Sequence, residues 1–159
     1  MNIAEASITR SEFGQQLYDG LNALPGSRRL TADQLEVIYA MAYAHVVQAQ
    51  YAQALPLFAF LAQYGPTRKH YLAGLALCLN QLGRHGEAAR IYSLIGVLYP
   101  GQPDTALRVA ECQIAQGDLD GARANLALAI DASGDDPACQ DMAARARSLR
   151  DLLGAGTNQ

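Results

Sequence analysis

The sequence predicts an all-helical protein built from three copies of one 34-residue unit. The first observation is a repeat without gaps, in which Ala54, Ala88 and Ala122 stand 34 residues apart. The second is composition: alanine and leucine dominate, while the β-branched residues typical of strands are few. We therefore expect helices only, in a single domain covering residues 1–159.

The same spacing relates many further positions. The matched sets are Ala42, Ala76 and Ala110; Met41, Leu75 and Val109; Phe58, Tyr92 and Leu126; Leu61, Ile95 and Ala129; and Pro66, Pro100 and Gly134. The last set stands where each unit has to stop. The predicted repeats are residues 35–68, 69–102 and 103–136.

Each unit is predicted to be a helix–turn–helix. The first helix carries apolar residues at helical spacing and ends at Ala49, Gly83 or Gly117. The second carries a small alanine followed four residues later by a large apolar residue. This pattern resembles the tetratricopeptide repeat, although no tryptophan heads the first helix. Pro56 falls inside the second helix of the first copy and is expected to kink it or delay its start.

Helices are also predicted on either side of the repeats. Residues 9–24 form an N-terminal helix, with a Thr9–Glu12 capping box at its start and Pro25-Gly26 at its end. Thr31 and Gln34 form a second capping box before the first repeat. Residues 137–153 form a C-terminal capping helix that follows Asp136-Pro137. Such end helices keep a repeat stack soluble.

Composition and motifs argue against several functions. A net charge of −3 gives no basic surface for nucleic acid, and no apolar run reaches the length of a membrane span. Cys78 and Cys112 occupy the same repeat position, which indicates small buried residues and not a disulfide. The histidines lack metal-ligand spacing, and there is no phosphate-binding loop or nucleophile motif. We therefore predict neither an enzyme nor a cofactor.

In each copy, one face of the first helix is not used for packing between helices. This face is predicted to be a binding surface. It recurs at i, i+3, i+7 and i+10 in each copy. Its members are Glu36, Tyr39, Tyr43 and Val46; His70, Ala73, Leu77 and Asn80; and Asp104, Leu107, Glu111 and Ile114. These residues are mostly apolar or aromatic, which is unusual for an exposed helix face.

Two interpretations of this stripe remain open. It is either covered by a terminal helix or part of the ordinary core, or it is the concave groove for an extended peptide. In the second case Tyr39 and Tyr43 line one pocket wall, and replacing both by alanine would leave the melting temperature nearly unchanged. Arg68 and Lys69 alone do not make the basic ring that a clamp for acidic C-termini needs.

The stretches 35–42 and 71–78, together with Ala110-Glu111-Cys112 and Gln116-Gly117-Asp118-Leu119, resemble the class II chaperones of type III secretion, the LcrH/SycD type. The resemblance covers residues 9–153. It implies a bacterial cytoplasmic chaperone that keeps hydrophobic, pore-forming translocators soluble before export. It also implies that an extended translocator segment lies in the groove, at Tyr39, Tyr43, His70, Leu77 and Asn80.

The resemblance further implies a homodimer formed through the first helix. The face with Phe13, Leu17 and Leu21 is expected either to meet a second copy or to dock onto the repeats. Two alternatives stay open beside this function. One is a tetratricopeptide scaffold that joins folded proteins, and the other is a chaperone for needle subunits of the same secretion system.

Overall fold

The structure, a computed structural model, describes residues 10–24 and 30–156. Within these ranges there are eight α-helices, a short 3₁₀ turn and no strand. The helices are α1 (Arg10–Asn22), α2 (Ala32–Val47), α3 (Tyr51–Tyr64), α4 (Lys69–Gln81), α5 (His85–Leu98), α6 (Pro103–Gln116), α7 (Leu119–Ser133) and α8 (Gln140–Ala155), with the turn at Pro137–Cys139. The all-helical fold is confirmed.

The 34-residue period is visible in the positions where helices begin. Tyr51, His85 and Leu119 open α3, α5 and α7 at that spacing, and Lys69 and Pro103 open α4 and α6. The turns share a backbone feature: Ala49, Gly83 and Gly117 have positive φ angles of 55°, 78° and 81°. A residue in this left-handed region ends each first helix, as predicted, although the first copy uses alanine where glycine is less strained.

Local capping explains the boundaries of α2 and α8. The Thr31 hydroxyl accepts from the Gln34 N–H at 3.2 Å, and the Gln34 side chain accepts from the Thr31 N–H at 3.0 Å. Asp136 accepts from the Ala138 N–H at 2.9 Å and caps the 3₁₀ turn that leads into α8. Thr9 and Pro25-Gly26 lie outside the described residues. Pro56 lies within α3, so it does not delay the start of that helix.

The core follows the small-and-large pattern of the repeats. From α2 to α8, each helix packs on the next one in the chain. Ala54, Ala88 and Ala122 are fully buried. Burial raises the pKa of the Cys78 thiol, and it raises that of Cys112 to about 11. Both cysteines are buried free thiols, as the repeat register predicts.

The first helix docks on the repeats through α5. Leu17, Tyr18 and Leu21 pack against the central core cluster, and the Tyr18 ring meets Tyr99 edge-on at 6.3 Å. Gly14 approaches α5 so closely that an added Cβ would overlap the backbone carbonyl oxygen of Val97. The first helix is therefore an integral part of the fold.

Candidate binding cleft

An open cleft of about 310 Å³ lies on the inner face formed by α2, α4 and α6. Most of its lining is apolar or aromatic. Its residues are Tyr39, Tyr43, Val46, Phe58, Lys69, His70, Ala73, Gly74, Leu77, Tyr92, Ile95, Asp104, Thr105 and Arg108. We call this the inner cleft.

An aromatic wall from α2 forms one side of the inner cleft. The Tyr39 ring stacks on Tyr43 at 6.2 Å and meets His70 edge-on at 4.9 Å. It also meets the buried Phe58 ring at 6.0 Å. Burial, followed by the neighbouring Tyr43 and Glu36, raises the pKa of Tyr39, so its hydroxyl stays protonated at neutral pH. Tyr39 is half-buried, whereas Tyr43 is 54% exposed and presents its ring to the cleft.

The floor of the inner cleft comes from the second helices of the repeats. Phe58, Tyr92 and Ile95 are all buried, and burial raises the pKa of Tyr92 to about 12. Gly74 lies directly over the Phe58 ring, where a Cβ would overlap the ring carbons. The missing side chain leaves room for this aromatic floor.

Charged groups on the rim pair with one another. Lys69 Nζ lies 3.6 Å from an Asp104 carboxylate oxygen, and it also donates to the Gln102 side chain. His70 Nε2 lies 3.8 Å from a Glu36 carboxylate oxygen. Because both signs occur, the rim has no strong preference for an acidic or basic ligand. It offers donors and acceptors to a polypeptide backbone.

Seven of the twelve stripe residues line the inner cleft. They are Tyr39, Tyr43, Val46, His70, Ala73, Leu77 and Asp104. Asn80 does not, because it lies near the end of α4 beside the turn. There its carboxamide oxygen lies 2.7 Å from His85 Nδ1 and 3.5 Å from the Cys112 sulfur. Asn80 therefore has a structural role at the repeat junction.

Leu107 and Glu111, the third-copy members of the stripe, lie under α8. Leu107 is buried with α7 and α8 residues, and Glu111 lies 2.7 Å from the Arg145 guanidinium. Both residues line a smaller cavity of about 260 Å³, together with Met142 of α8. A terminal helix thus covers this end of the stripe, whereas the first two copies form an open cleft. The first interpretation therefore holds for the third copy, whereas peptide binding by the open cleft of the first two copies stays a prediction.

Sequence reasoning missed the floor and part of the rim. Phe58 and Tyr92 were identified as large residues of the second helices, but not as cleft residues. The signal available was the pairing of a large aromatic on one helix with Gly74 or Ala73 on its neighbour. Lys69, Thr105 and Arg108 lie outside the predicted stripe, so its spacing could not find them.

The three residues of the predicted dimer interface are divided by the structure. Leu17 and Leu21 are half-buried against the repeats, while Phe13 is 53% exposed. Of these three residues, Phe13 alone is exposed for contact with a second copy.

The arrangement is suited to holding a peptide. No group of three His, Cys, Asp or Glu side chains among the described residues could hold a metal ion. No helix in the described ranges is both long enough and apolar enough to cross a membrane. A stack of helical hairpins with an apolar inner cleft and a mixed polar rim defines a peptide-binding protein of the tetratricopeptide class.

Comparison with known proteins agrees with this class. Residues 39–103 match the tetratricopeptide repeat family model. A crystal structure of PcrH in complex with the chaperone binding region of PopB is 30% identical, covering 77% of this chain and 98% of that chain, with a TM-score of 0.71. PcrH from Pseudomonas aeruginosa, 28% identical, covers 82% of this chain and 99% of that chain, with a TM-score of 0.73.

A curated relative, the low calcium response locus protein H of Yersinia pseudotuberculosis, is 24% identical over 78% of this chain and 74% of its own length. The Yersinia enterocolitica translocator chaperone SycD has the same fold, with a TM-score of 0.77 at 23% identity, over 82% of this chain and 90% of that chain. This chain belongs to the family of type III secretion translocator chaperones.

Proposed function

We propose that this protein is a cytosolic chaperone that binds a hydrophobic translocator of a type III secretion system. It holds an extended segment of the translocator in the inner cleft and so keeps the client soluble and competent for export. The observation that carries the proposal is the exposed aromatic and apolar lining of the cleft. Apolar surface that remains open in a soluble protein is typical of a binding site.

The cleft contacts the client in two ways. Tyr43, Val46 and Leu77 provide apolar surface for alternate side chains of an extended segment. Lys69, His70 and Arg108 provide donors at the rim for its backbone carbonyl groups. Because main-chain contacts depend little on sequence, a few apolar pockets set the preference for a client. The family membership and the complex of PcrH with the PopB chaperone-binding region support this mode.

The protein acts without catalysis in this proposal. A membrane-inserting client exposes more apolar surface than water tolerates, and reversible coverage of one segment prevents premature insertion. Release needs no bound nucleotide, because the export machinery can draw the client away. The scaffold alternative predicts no such rescue of an unstable client, and the needle-subunit alternative predicts an amphipathic helix as the client.

Co-expression with candidate translocators tests the proposal. We expect the wild-type chaperone to keep the translocator soluble and to co-purify with it. Leu77→Asp places an unpaired carboxylate in the apolar cleft, and we expect it to reduce recovery of the complex at least tenfold. Leu82→Asp is the matched control, since Leu82 is exposed outside the inner cleft.

Melting temperatures measured on the same preparations separate misfolding from lost binding. A Leu77→Asp protein that folds normally and still recovers the translocator at the wild-type level would refute the inner cleft as the binding site. Failure of every candidate translocator to depend on the wild-type protein for solubility would refute the chaperone function itself.

A further inference from the structure

A second cavity, of about 320 Å³, lies on the other side of the repeat stack, between α5 and α7 with α6 beneath. We call it the outer groove. Its lining includes Gly96, Ala106, Val109, Asn125, Leu128 and Ala132. Leu128 on its wall is 48% exposed, so the groove presents apolar surface to solvent.

The outer groove lies one repeat further along the chain than the surface on which α1 docks, at the equivalent positions. Leu17, Tyr18 and Leu21 of α1 pack against a core cluster of α4, α5 and α6 that includes Leu72 and Leu98. Ala62, Leu75, Ile91 and Leu94 pack against the same cluster. Adding 34 to each number gives the six residues of the outer groove named above. The chain itself thus shows which ligand this groove geometry accepts, namely an amphipathic helix.

The two grooves share α5 as a common ridge. Val97 receives Gly14 of α1 against its carbonyl, and the same residue lines the outer groove. A helix in the outer groove would therefore continue the interface that α1 already makes. Within the described residues no helix of the chain lies in the outer groove.

Most residues of the outer groove are smaller than the residues 34 positions earlier, on the surface where α1 docks. Leucines at 72 and 98 are replaced by Ala106 and Ala132, and Ala62 is replaced by Gly96. Among the six pairs, only Leu94 and its equivalent Leu128 are the same residue. The smaller side chains leave volume in the groove that the described part of the chain does not fill. A helix with bulky apolar side chains would fill it and restore close packing.

We propose that the outer groove binds an amphipathic helix of a partner protein, presenting apolar residues at the helical spacing that α1 uses. The α1 helix of a second copy is a weaker candidate, because each α1 is tethered to its own surface and held there at high effective concentration. The outer groove is separate from the inner cleft: Tyr92 and Thr105 line both cavities and form the partition between them. The proposal therefore does not depend on the proposed function.

A peptide of residues 10–22, amidated at its C-terminus, is a suitable probe because it carries the apolar pattern that such a surface accepts. We would titrate it into the isotope-labelled full chain and follow amide shifts by NMR. We expect saturable shifts at Gly96, Gly101 and Leu128. Leu128→Asp should weaken peptide binding at least tenfold. Leu152→Asp is the control: it makes the same substitution at an exposed leucine of α8 and should leave binding unchanged.

A gain-of-function variant provides a second measurement. Asn125→Ile with Ala132→Leu introduces the residue types found one repeat earlier, at Ile91 and Leu98, and we expect it to tighten peptide binding several-fold. Absence of saturable shifts in both the wild type and this variant would overturn the proposal. Shifts confined to Ile91 and Leu94 would mean displacement of α1 and would also overturn it. So would self-association of the free protein that Leu128→Asp abolishes, since the occupant would then be a second copy.

Discussion

Two tyrosines one turn apart on α2 have different roles because their surroundings differ. Tyr39 contacts the buried Phe58 and Tyr71 rings, while Tyr43 stacks on Tyr39 and is otherwise open. The sequence expectation that both can be removed without loss of stability therefore needs correction for Tyr39. It was based on helical spacing, which places both residues on one face but does not give their depth.

For Tyr43→Ala we expect a nearly unchanged melting temperature and weaker translocator binding, by about 1–4 kcal/mol if the ring anchors the client. For Tyr39→Ala we expect a loss of unfolding free energy of about 2 kcal/mol, because its ring packs against core aromatics. Thermal melting and isothermal titration with a translocator segment check both. Equal stability of the two variants, or undiminished binding by Tyr43→Ala, would contradict the assignment.

The buried Cys112 thiol predicts an alkaline loss of stability. Burial raises its pKa from 9.0 to about 11 in the folded chain. The folded state therefore holds its proton after the unfolded state has lost it. The stability contribution is complete below about pH 9 and is lost as the pH rises toward 11, at about 1.4 kcal/mol per pH unit.

Urea unfolding at pH 8 and pH 10.5 tests this, with Cys112→Ala as the comparison. Alanine is apolar and slightly smaller than cysteine, so it enters the buried site without overpacking. Tyrosines and lysines titrate in both proteins, so their effects cancel in the difference. We expect the wild type to lose more stability than the variant over this range. Equal losses would mean that the thiol is accessible in the folded state.

At the scale of helices, the sequence predicts well what is set by local chemistry. From α3 to α7 the helix starts recur every 34 residues. The Thr31–Gln34 capping box forms as predicted, because capping depends on residues within one turn. The side-chain contacts of Asn80 and Glu111 could not be predicted in this way. Their partners, His85 and Arg145, lie on other helices, and the stripe alone does not say which helix covers it.

The docking of α1 depends on one glycine. Gly14→Ala would place a methyl group on the Val97 carbonyl, so we expect a net loss of unfolding free energy although alanine favours helix. Gly20→Ala is the matched control, since an added Cβ there meets nothing within 4 Å. We expect it to gain up to about 1 kcal/mol from helix propensity alone. Denaturant unfolding of both variants distinguishes the two effects, and stabilisation of both would mean that α1 is not held against α5.

At the scale of the whole molecule, the N-terminal end of the repeat stack is left open. Tyr71 and Cys78 of α4, and Thr105, Val109 and Cys112 of α6, are buried. Their equivalents on α2 have no preceding repeat to cover them, because α1 docks on α5. Val37 and Met41 are consequently 63% and 54% exposed. An apolar helix face of this kind is suited to self-association.

We expect the protein to form a weak homodimer through this face of α2. Val37→Glu with Met41→Glu should reduce the sedimenting mass to that of a 17.0 kDa monomer without lowering the melting temperature, because neither side chain is part of the core. Leu152→Glu, at an exposed leucine of α8, is the control and should leave the mass unchanged. Phe13→Glu tests the exposed residue of the first helix separately. If only Phe13→Glu dissociates the dimer, α1 forms the interface and the exposed face of α2 does not. If the wild-type protein is monomeric at every concentration measured, the prediction of a homodimer is wrong.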